Sequence, residues 1–162
     1  MPIEMVRIDD RLIHGQVMVG WCPRIKPDRI VVCDDEVACS EWECELYRSA
    51  ADEYATTFCT VEQAADFLRS ETAEQERLFV LVRSPKTVLE LLNRGVRLHK
   101  VIVGGMHYKP GRRQLTPFIF VDEADIRHLR EIAARGVDIE GRDVPSCVPI
   151  NLQPLLNEPA KS

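Results

Sequence analysis

Apolar positions recur along this chain in two periods, and the periods alternate. Ile3 to Ile8, Arg29 to Cys33, Tyr54 to Cys59, Leu78 to Val82 and Val101 to Val103 are short apolar or alternating runs that read as strands. Between them, apolar residues follow a helical spacing. Val17, Met18 and Trp21 mark a first helix beginning near His14 and closed by Pro23 and Pro27. Ser40 with Glu43, and Thr60 with Gln63, have capping-box spacing at two further helix starts, the first running to about Ala51. Ser84 before Pro85 opens another, since proline at the first helical position lacks only an amide that would have no partner there. Gly95 and Gly136 can end helices in a left-handed conformation. A sixth strand is expected around Leu115 to Val121, a helix capped by Asp122 follows, and Val137 to Ile139 begins a last short strand.

Strands alternating with helices imply an α/β fold: a single open twisted sheet of about seven mainly parallel strands, with helices on both faces. Residues 1–162 read as one domain, its tail packing at first and fraying from about residue 153. In such a sheet, sites form beyond the carboxyl ends of strands, near a change in strand order. His14, Asp34 and Asp35, Ser84, and Gly104 with Gly105 all follow strands and can converge there.

Composition narrows the function classes. A net charge of -5 and 6% aromatic residues argue against a nucleic-acid binder. The longest apolar runs are too short to span a membrane, and Met1 to Glu4 does not open a signal peptide. The cysteines at 22, 33, 39, 44, 59 and 147 include no CxxC pair and read as ordinary thiols. No metal site is expected. Asp34-Asp35-Glu36 resembles a magnesium site only in composition, and organising a loop or capping a helix is its simpler role. No dinucleotide fingerprint follows the first strand, and Gly104-Gly105 lacks the spacing of a Walker loop.

The richest stretch is Arg7-Ile8-Asp9-Asp10-Arg11-Leu12-Ile13-His14-Gly15-Gln16. It brings a neutralisable nucleophile, two guanidinium groups and a helix start to one loop. An imidazole near neutrality can attack phosphorus. Arg11, with Arg7 as support, can make charge-assisted bonds to phosphoryl oxygens. The Gly15 and Gln16 amides add donors, Gly15 leaves the approach open, and Asp10 can orient Arg11 or His14. The blander alternative has Arg7 and Asp9 facing solvent at a strand edge and Asp10 with Arg11 as a loop ion pair. Gly104 and Gly105 could let backbone amides approach a phosphoryl oxygen, or merely form a turn. His107-Tyr108-Lys109-Pro110-Gly111-Arg112-Arg113 reads as a solvated basic loop, with docking to an acidic partner as the alternative.

This stretch, followed by Val17 and Trp21, resembles the signature of the IIB components of the mannose/fructose/sorbose family of sugar phosphotransferase systems. Asp34-Asp35-Glu36-Val37-Ala38, Val82-Arg83-Ser84-Pro85, Val103-Gly104-Gly105-Met106, Val121-Asp122-Glu123 and Asp143-Val144-Pro145-Ser146 resemble further segments of it, over roughly residues 3 to 152. The resemblance implies a seven-stranded, mainly parallel sheet. It implies that His14 is a transient phosphohistidine, attacking through Nδ1, with no cofactor. Arg11 would help bind the phosphoryl group and Asp10 would organise the loop; Gly15 and Gln16 complete the phosphoryl-binding and orienting set, with Arg7, Asp35, Ser84, Gly104 and Gly105 as supporting candidates. It further implies a IIA phosphodonor, a IIC/IID membrane transporter, an imported hexose or related sugar as acceptor, and a cytoplasmic location with peripheral membrane association. A regulatory phosphocarrier and a noncatalytic binding module remain open as alternatives, as do the sugar and the oligomeric state.

Overall fold

The computed structural model describes residues 3–157. Seven strands form one sheet in the order β3-β2-β4-β1-β5-β8-β9: β1 (Ile3–Asp9), β2 (Arg29–Cys33), β3 (Ala55–Cys59), β4 (Leu78–Val82), β5 (Lys100–Gly105), β8 (Asp138–Gly141) and β9 (Ile150–Asn151). Every pairing is parallel except β8 with β9. The remaining two strands, β6 (Arg113–Thr116) and β7 (Ile119–Val121), form a separate antiparallel hairpin.

Central strands of a parallel sheet are covered on both faces, so their sequences run apolar without interruption. β4 is Leu-Phe-Val-Leu-Val and buried throughout. Side-chain alternation divides the core into two layers. On one face Val6, Ile8, Val31, Val80 and Val82 pack against α4 (Val61–Leu68), α6 (Pro85–Asn93) and α7 (Glu123–Ala134). On the other, Ile30, Val32, Phe79 and Leu81 pack beneath a π-wound segment, Gln16–Trp21, that continues into α1 (Cys22–Ile25). Val17, Trp21, Cys22 and Ile25 point inward from that segment, each large apolar side chain contributing roughly 1.5–3 kcal/mol through burial.

Local chemistry sets the helix ends. Asp34 accepts from the Val37 amide to start α2 (Asp35–Ala38), and Ser40 caps α3 (Glu41–Ala50) from one side only. Thr60 with Gln63, and Asp122 with Asp125, complete both halves of a capping box. Ser70 caps α5 (Glu71–Glu74). Gly95 and Gly136 end their helices at φ 88° and 84°, as their positions suggested.

The first helical segment begins at Gln16, near His14 as expected, and His14 stands just before it. Two expectations need correction. The expected strand from Leu115 to Val121 is the β6–β7 hairpin, broken by a turn at Pro117-Phe118, and the short β9 supplies the seventh strand instead. The chain also stays packed beyond residue 153: α8 (Gln153–Leu156) buries Leu156, with Leu152 buried just ahead of it. The rest of the stretch expected to fray, from 158, lies outside the described residues.

β1 is where the fold matters for function. It lies between β4 and β5, while the chain leaving it crosses over β4 to reach β2. Its carboxyl end therefore opens beside a change in connection direction, the usual place for a site in an open α/β sheet.

Candidate functional site

Even-numbered Val6 and Ile8 of β1 face one core layer, so Arg7 and Asp9 face the other. That face has no solvent. Arg7 and Asp9 are both fully buried beneath the segment carrying Trp21, which rules out the alternative in which they face solvent at a strand edge. The Arg7 guanidinium donates to the carbonyl of Arg142 at 2.9 Å, to that of Asp143 at 2.7 Å and to Asp9 Oδ2 at 3.3 Å. Trp21 lies against it, ring centroid 5.2 Å from Cζ, and the indole N–H also donates to the Asp143 carbonyl at 2.8 Å. Arg7 is thus a buried tie between β1 and the loop after β8. Its two terminal nitrogens are engaged by the protein, and its Nε is buried without a hydrogen-bond partner.

Asp9 is the hub. Its carboxylate accepts from Arg7, from the Arg11 amide at 3.1 Å, from Arg11 Nε at 3.2 Å and Nη2 at 3.3 Å, and from His14 Nε2 at 3.0 Å. Burial alone would raise its pKa. The bonds from His14 and Arg11 outweigh burial and hold it well below the ordinary carboxylate range. An ionised Asp9 can only accept, so His14 Nε2 carries a proton, and in the neutral imidazole the lone pair is then on Nδ1. Burial pushes the Arg7 pKa down, against the pull of Asp9 and Asp143.

The loop itself is tightly turned. The Leu12 amide donates to the Asp9 carbonyl at 3.0 Å, and Leu12 adopts a left-handed φ of 56°. That conformation costs a non-glycine residue about 1–2 kcal/mol. Complete burial of the Leu12 side chain offsets it. The turn delivers His14, its side chain 15% exposed, to the surface above Asp9. Arg11 is 35% exposed, and its Nη2 is steadied by Gln16 Oε1 at 2.8 Å. Gly15 is exposed, and a Cβ there would meet nothing within 4 Å.

The paired glycines have a packing reason. A Cβ on Gly104 would fall 1.8 Å from Arg7 Cζ, and one on Gly105 would crowd both Asp9 oxygens at 3.2 Å. They make room for buried charged side chains of β1. Asp10 differs from expectation. It orients neither Arg11 nor His14: its carboxylate accepts from the His107 amide at 2.8 Å and contacts His107 Nδ1, with Arg112 at 3.6 Å. His107 and Arg112 thereby leave the solvated-loop reading, because both hold Asp10 in the loop that carries His14.

Asp35 and Ser84 do not reach the histidine. They line a neighbouring cleft of about 290 Å³ that shares Asp10 with the loop. Asp35 accepts from the Val61 amide at 2.8 Å, and the Ser84 hydroxyl lies 3.4 Å from that of Thr87. A second cleft, about 240 Å³, is bordered by Arg11, Gln16, Gly104, Gly105, His107 and the hairpin residue Phe118. No helix among the described residues is long and apolar enough to cross a membrane.

Asp9 and Trp21 are the positions of the candidate site that residue-by-residue reading undervalued. A usable signal was present. Two opposite charges two residues apart on one face of a strand belonging to a parallel sheet imply a buried ion pair, because that face is covered.

The arrangement is a proton-oriented imidazole with a partly exposed arginine beside it. Comparison with known proteins gives it a context. The sorbose-subfamily IIB component family of the phosphotransferase system matches residues 3–162. The sorbose-specific EIIB component of Klebsiella pneumoniae is 35% identical over 99% of this chain and 98% of its own length. The N-acetylgalactosamine-specific IIB component 1 of Escherichia coli K12 is 37% identical over 88% and 91%. The crystal structure of the Klebsiella pneumoniae IIBSor domain superposes with a TM-score of 0.92 over 99% of both chains. The mannose-specific EIIAB component of Escherichia coli K12 is 34% identical, with this chain spanning 49% of it.

Proposed function

Because the chain belongs to the sorbose subfamily of phosphotransferase-system IIB components, whose general activity is phosphoryl transfer, we propose that His14 is its phosphoryl carrier. The observation that carries this reading is the Asp9–His14 hydrogen bond, which commits Nε2 and leaves Nδ1 nucleophilic.

The cycle has two halves. In the first, His14 Nδ1 attacks the phosphorus of a phosphohistidine on a IIA protein. The new N–P bond forms as the donor's N–P bond breaks, and the electron pair returns to the donor imidazole. In the second, a sugar hydroxyl presented by a IIC/IID membrane transporter attacks the same phosphorus. A P–O bond forms, the His14 N–P bond breaks, and the hydroxyl proton is released to a base. No cofactor is required, because positioning and charge stabilisation are the protein's main contribution to phosphoryl transfer.

Arg11 supplies the cationic arm for the phosphoryl oxygens. Gln16 sets the angle of that arm, and the amides of Gly15 and Gln16 add donors. Asp9 stabilises the positive charge that develops on the imidazole as the phosphoramidate forms, and holds the ring in one tautomer. Asp10 secures the loop. Arg7, Gly104 and Gly105 support Asp9 from below, while Asp35 and Ser84 border the approach through the adjoining cleft. The acceptor is a hexose or related sugar; the relatives' names span sorbose, N-acetylgalactosamine, fructose and mannose. The chain works in the cytoplasm, against the inner face of the membrane when engaged by its transporter.

The test is to mix native or His14→Ala protein with a phosphorylated IIA protein and follow intact mass. One phosphoryl group on the native chain and none on a folded mutant supports the reading. Equal phosphorylation of both, or none on the native chain despite binding of an active donor, overturns it.

A further inference from the structure

We infer that His107 is a positioning residue for phosphoryl transfer, a clasp that fixes the loop between Asp9 and His14 by holding Asp10. The inference rests on the proposed role of His14.

Two carboxylates lie side by side in that loop, and they turn in opposite directions. Asp9 turns inward to His14 and both arginines. Asp10 turns toward the segment after β5. Its amide donates to the Gly105 carbonyl at 3.0 Å. Its Oδ2 accepts from the His107 amide at 2.8 Å, and its Oδ1 meets His107 Nδ1 at 2.5 Å. The clasp therefore grips one residue through backbone and side chain together. Asp10 is nearly covered, with a side chain 9% exposed, whereas the His107 ring is 53% exposed. The exposed ring of His107 is accordingly not explained by packing, and its Nδ1 contact with Asp10 accounts for its placement.

The clasp is itself braced. Arg112 donates to the His107 carbonyl at 2.8 Å, and its guanidinium lies 3.6 Å from Asp10 and 3.6 Å from Asp125 at the start of α7. Loop, β5 and α7 are joined through this one junction. On its other side the His107 ring borders the cleft that also holds Arg11 and Gln16. A loop with a left-handed, non-glycine residue at Leu12 needs such fixing, since alternative backbone conformations lie close in energy. Movement of Asp10 would carry Arg11 with it, and displacements of about an ångström in a positioning group can cost orders of magnitude in rate.

The variants are His107→Ala, which removes the ring contact and keeps the amide contact, and His107→Asn, whose side-chain N–H2 can occupy the position of Nδ1–H. Two readouts are needed. The first is the rate of phosphoryl transfer from a phosphorylated IIA protein, resolved into kcat and KM. The second is hydrogen exchange at the amides of Asp10 and Leu12, which requires no activity. The clasp predicts about a tenfold lower kcat for His107→Ala with KM within about twofold, and about tenfold faster exchange. It predicts recovery of both in His107→Asn to within about threefold of native.

Native rate and native exchange in His107→Ala overturn the clasp, as does an Asn variant no better than Ala. A loss confined to KM overturns it too, because His107 would then contact the donor rather than position the loop. Should the native chain accept no phosphoryl group, the carrier reading fails on its own, and the exchange data still decide whether His107 holds the loop.

Discussion

The Asp9 carboxylate lies 3.0 Å from His14 Nε2, fully buried at the end of β1, while the imidazole it holds reaches the surface. The pair couples a core charge cluster to the exposed ring, and tautomer control follows from it. In Asp9→Asn, the amide can donate to Nε2, which moves the imidazole proton to Nδ1 and removes the nucleophilic lone pair. Phosphoryl transfer per folded molecule is expected to fall by on the order of a hundredfold or more. Stopped transfer assays on protein shown to be folded by circular dichroism check this; a rate near native contradicts it.

The same carboxylate gives stability a definite pH dependence. The folded pKa of Asp9 lies below its ordinary value of 3.8, because bonds from His14 and Arg11 outweigh burial. Its contribution is therefore complete above the ordinary value and is lost as pH falls through the lowered one. Urea melts from pH 7 down to pH 3 should show native stability declining at the acid end. Asp9→Asn should show a shallower decline over the same window.

Arg11 and Arg7 should respond differently to conservative change. Arg11 is partly exposed and forked onto Asp9 and Gln16. Arg11→Lys keeps the charge but loses the planar fork, and transfer is expected to slow roughly tenfold with little loss of stability. Arg7→Lys leaves the Asp9 charge and two loop carbonyls poorly satisfied in the core, and is expected to cost about 3 kcal/mol in a urea melt.

Two glycines provide a contrast in packing. Gly104→Ala sets a methyl group 1.8 Å from the Arg7 guanidinium carbon, and should cost about 3 kcal/mol or more. Gly15→Ala projects into open space from a backbone at φ -50°, and should change stability by no more than roughly 0.5 kcal/mol. Thermal and urea unfolding of the two variants measures the difference directly.

The thiols should divide by burial. Cys22 is buried and its pKa is pushed up to about 11, and burial also raises those of Cys33 and Cys59. Thiolate is the reactive form, so these three should resist alkylation in the folded protein. Exposed Cys39 should label first at pH 7.5, with mass spectrometry locating the adducts.

Much of this architecture is legible in the sequence, for identifiable reasons. Continuous apolar strands such as Leu78 to Val82, and capping pairs such as Thr60 with Gln63, encode their structure locally. The His14 loop is legible through its residue chemistry and its resemblance to a family. What escaped depends on long-range contacts. The partners of the buried Arg7–Asp9 pair, Trp21 and the loop after β8, and the grip of His107 on Asp10, 97 residues away, are not encoded locally. The β6–β7 hairpin escaped because a turn at Pro117-Phe118 interrupts a run that otherwise reads as one strand. Gly104 and Gly105 were visible as unusual positions. Their reason became clear only when Arg7 and Asp9 occupied the space beside them.

The most direct measurement is nuclear magnetic resonance of the phosphorylated native chain, labelled with 15N in histidine, to find which ring nitrogen bears phosphorus. The account expects phosphorus on Nδ1 of His14, with Nε2 still protonated against Asp9. Phosphorus on Nε2 of His14, or on another residue, would contradict the claim that the Asp9 hydrogen bond selects the reacting atom.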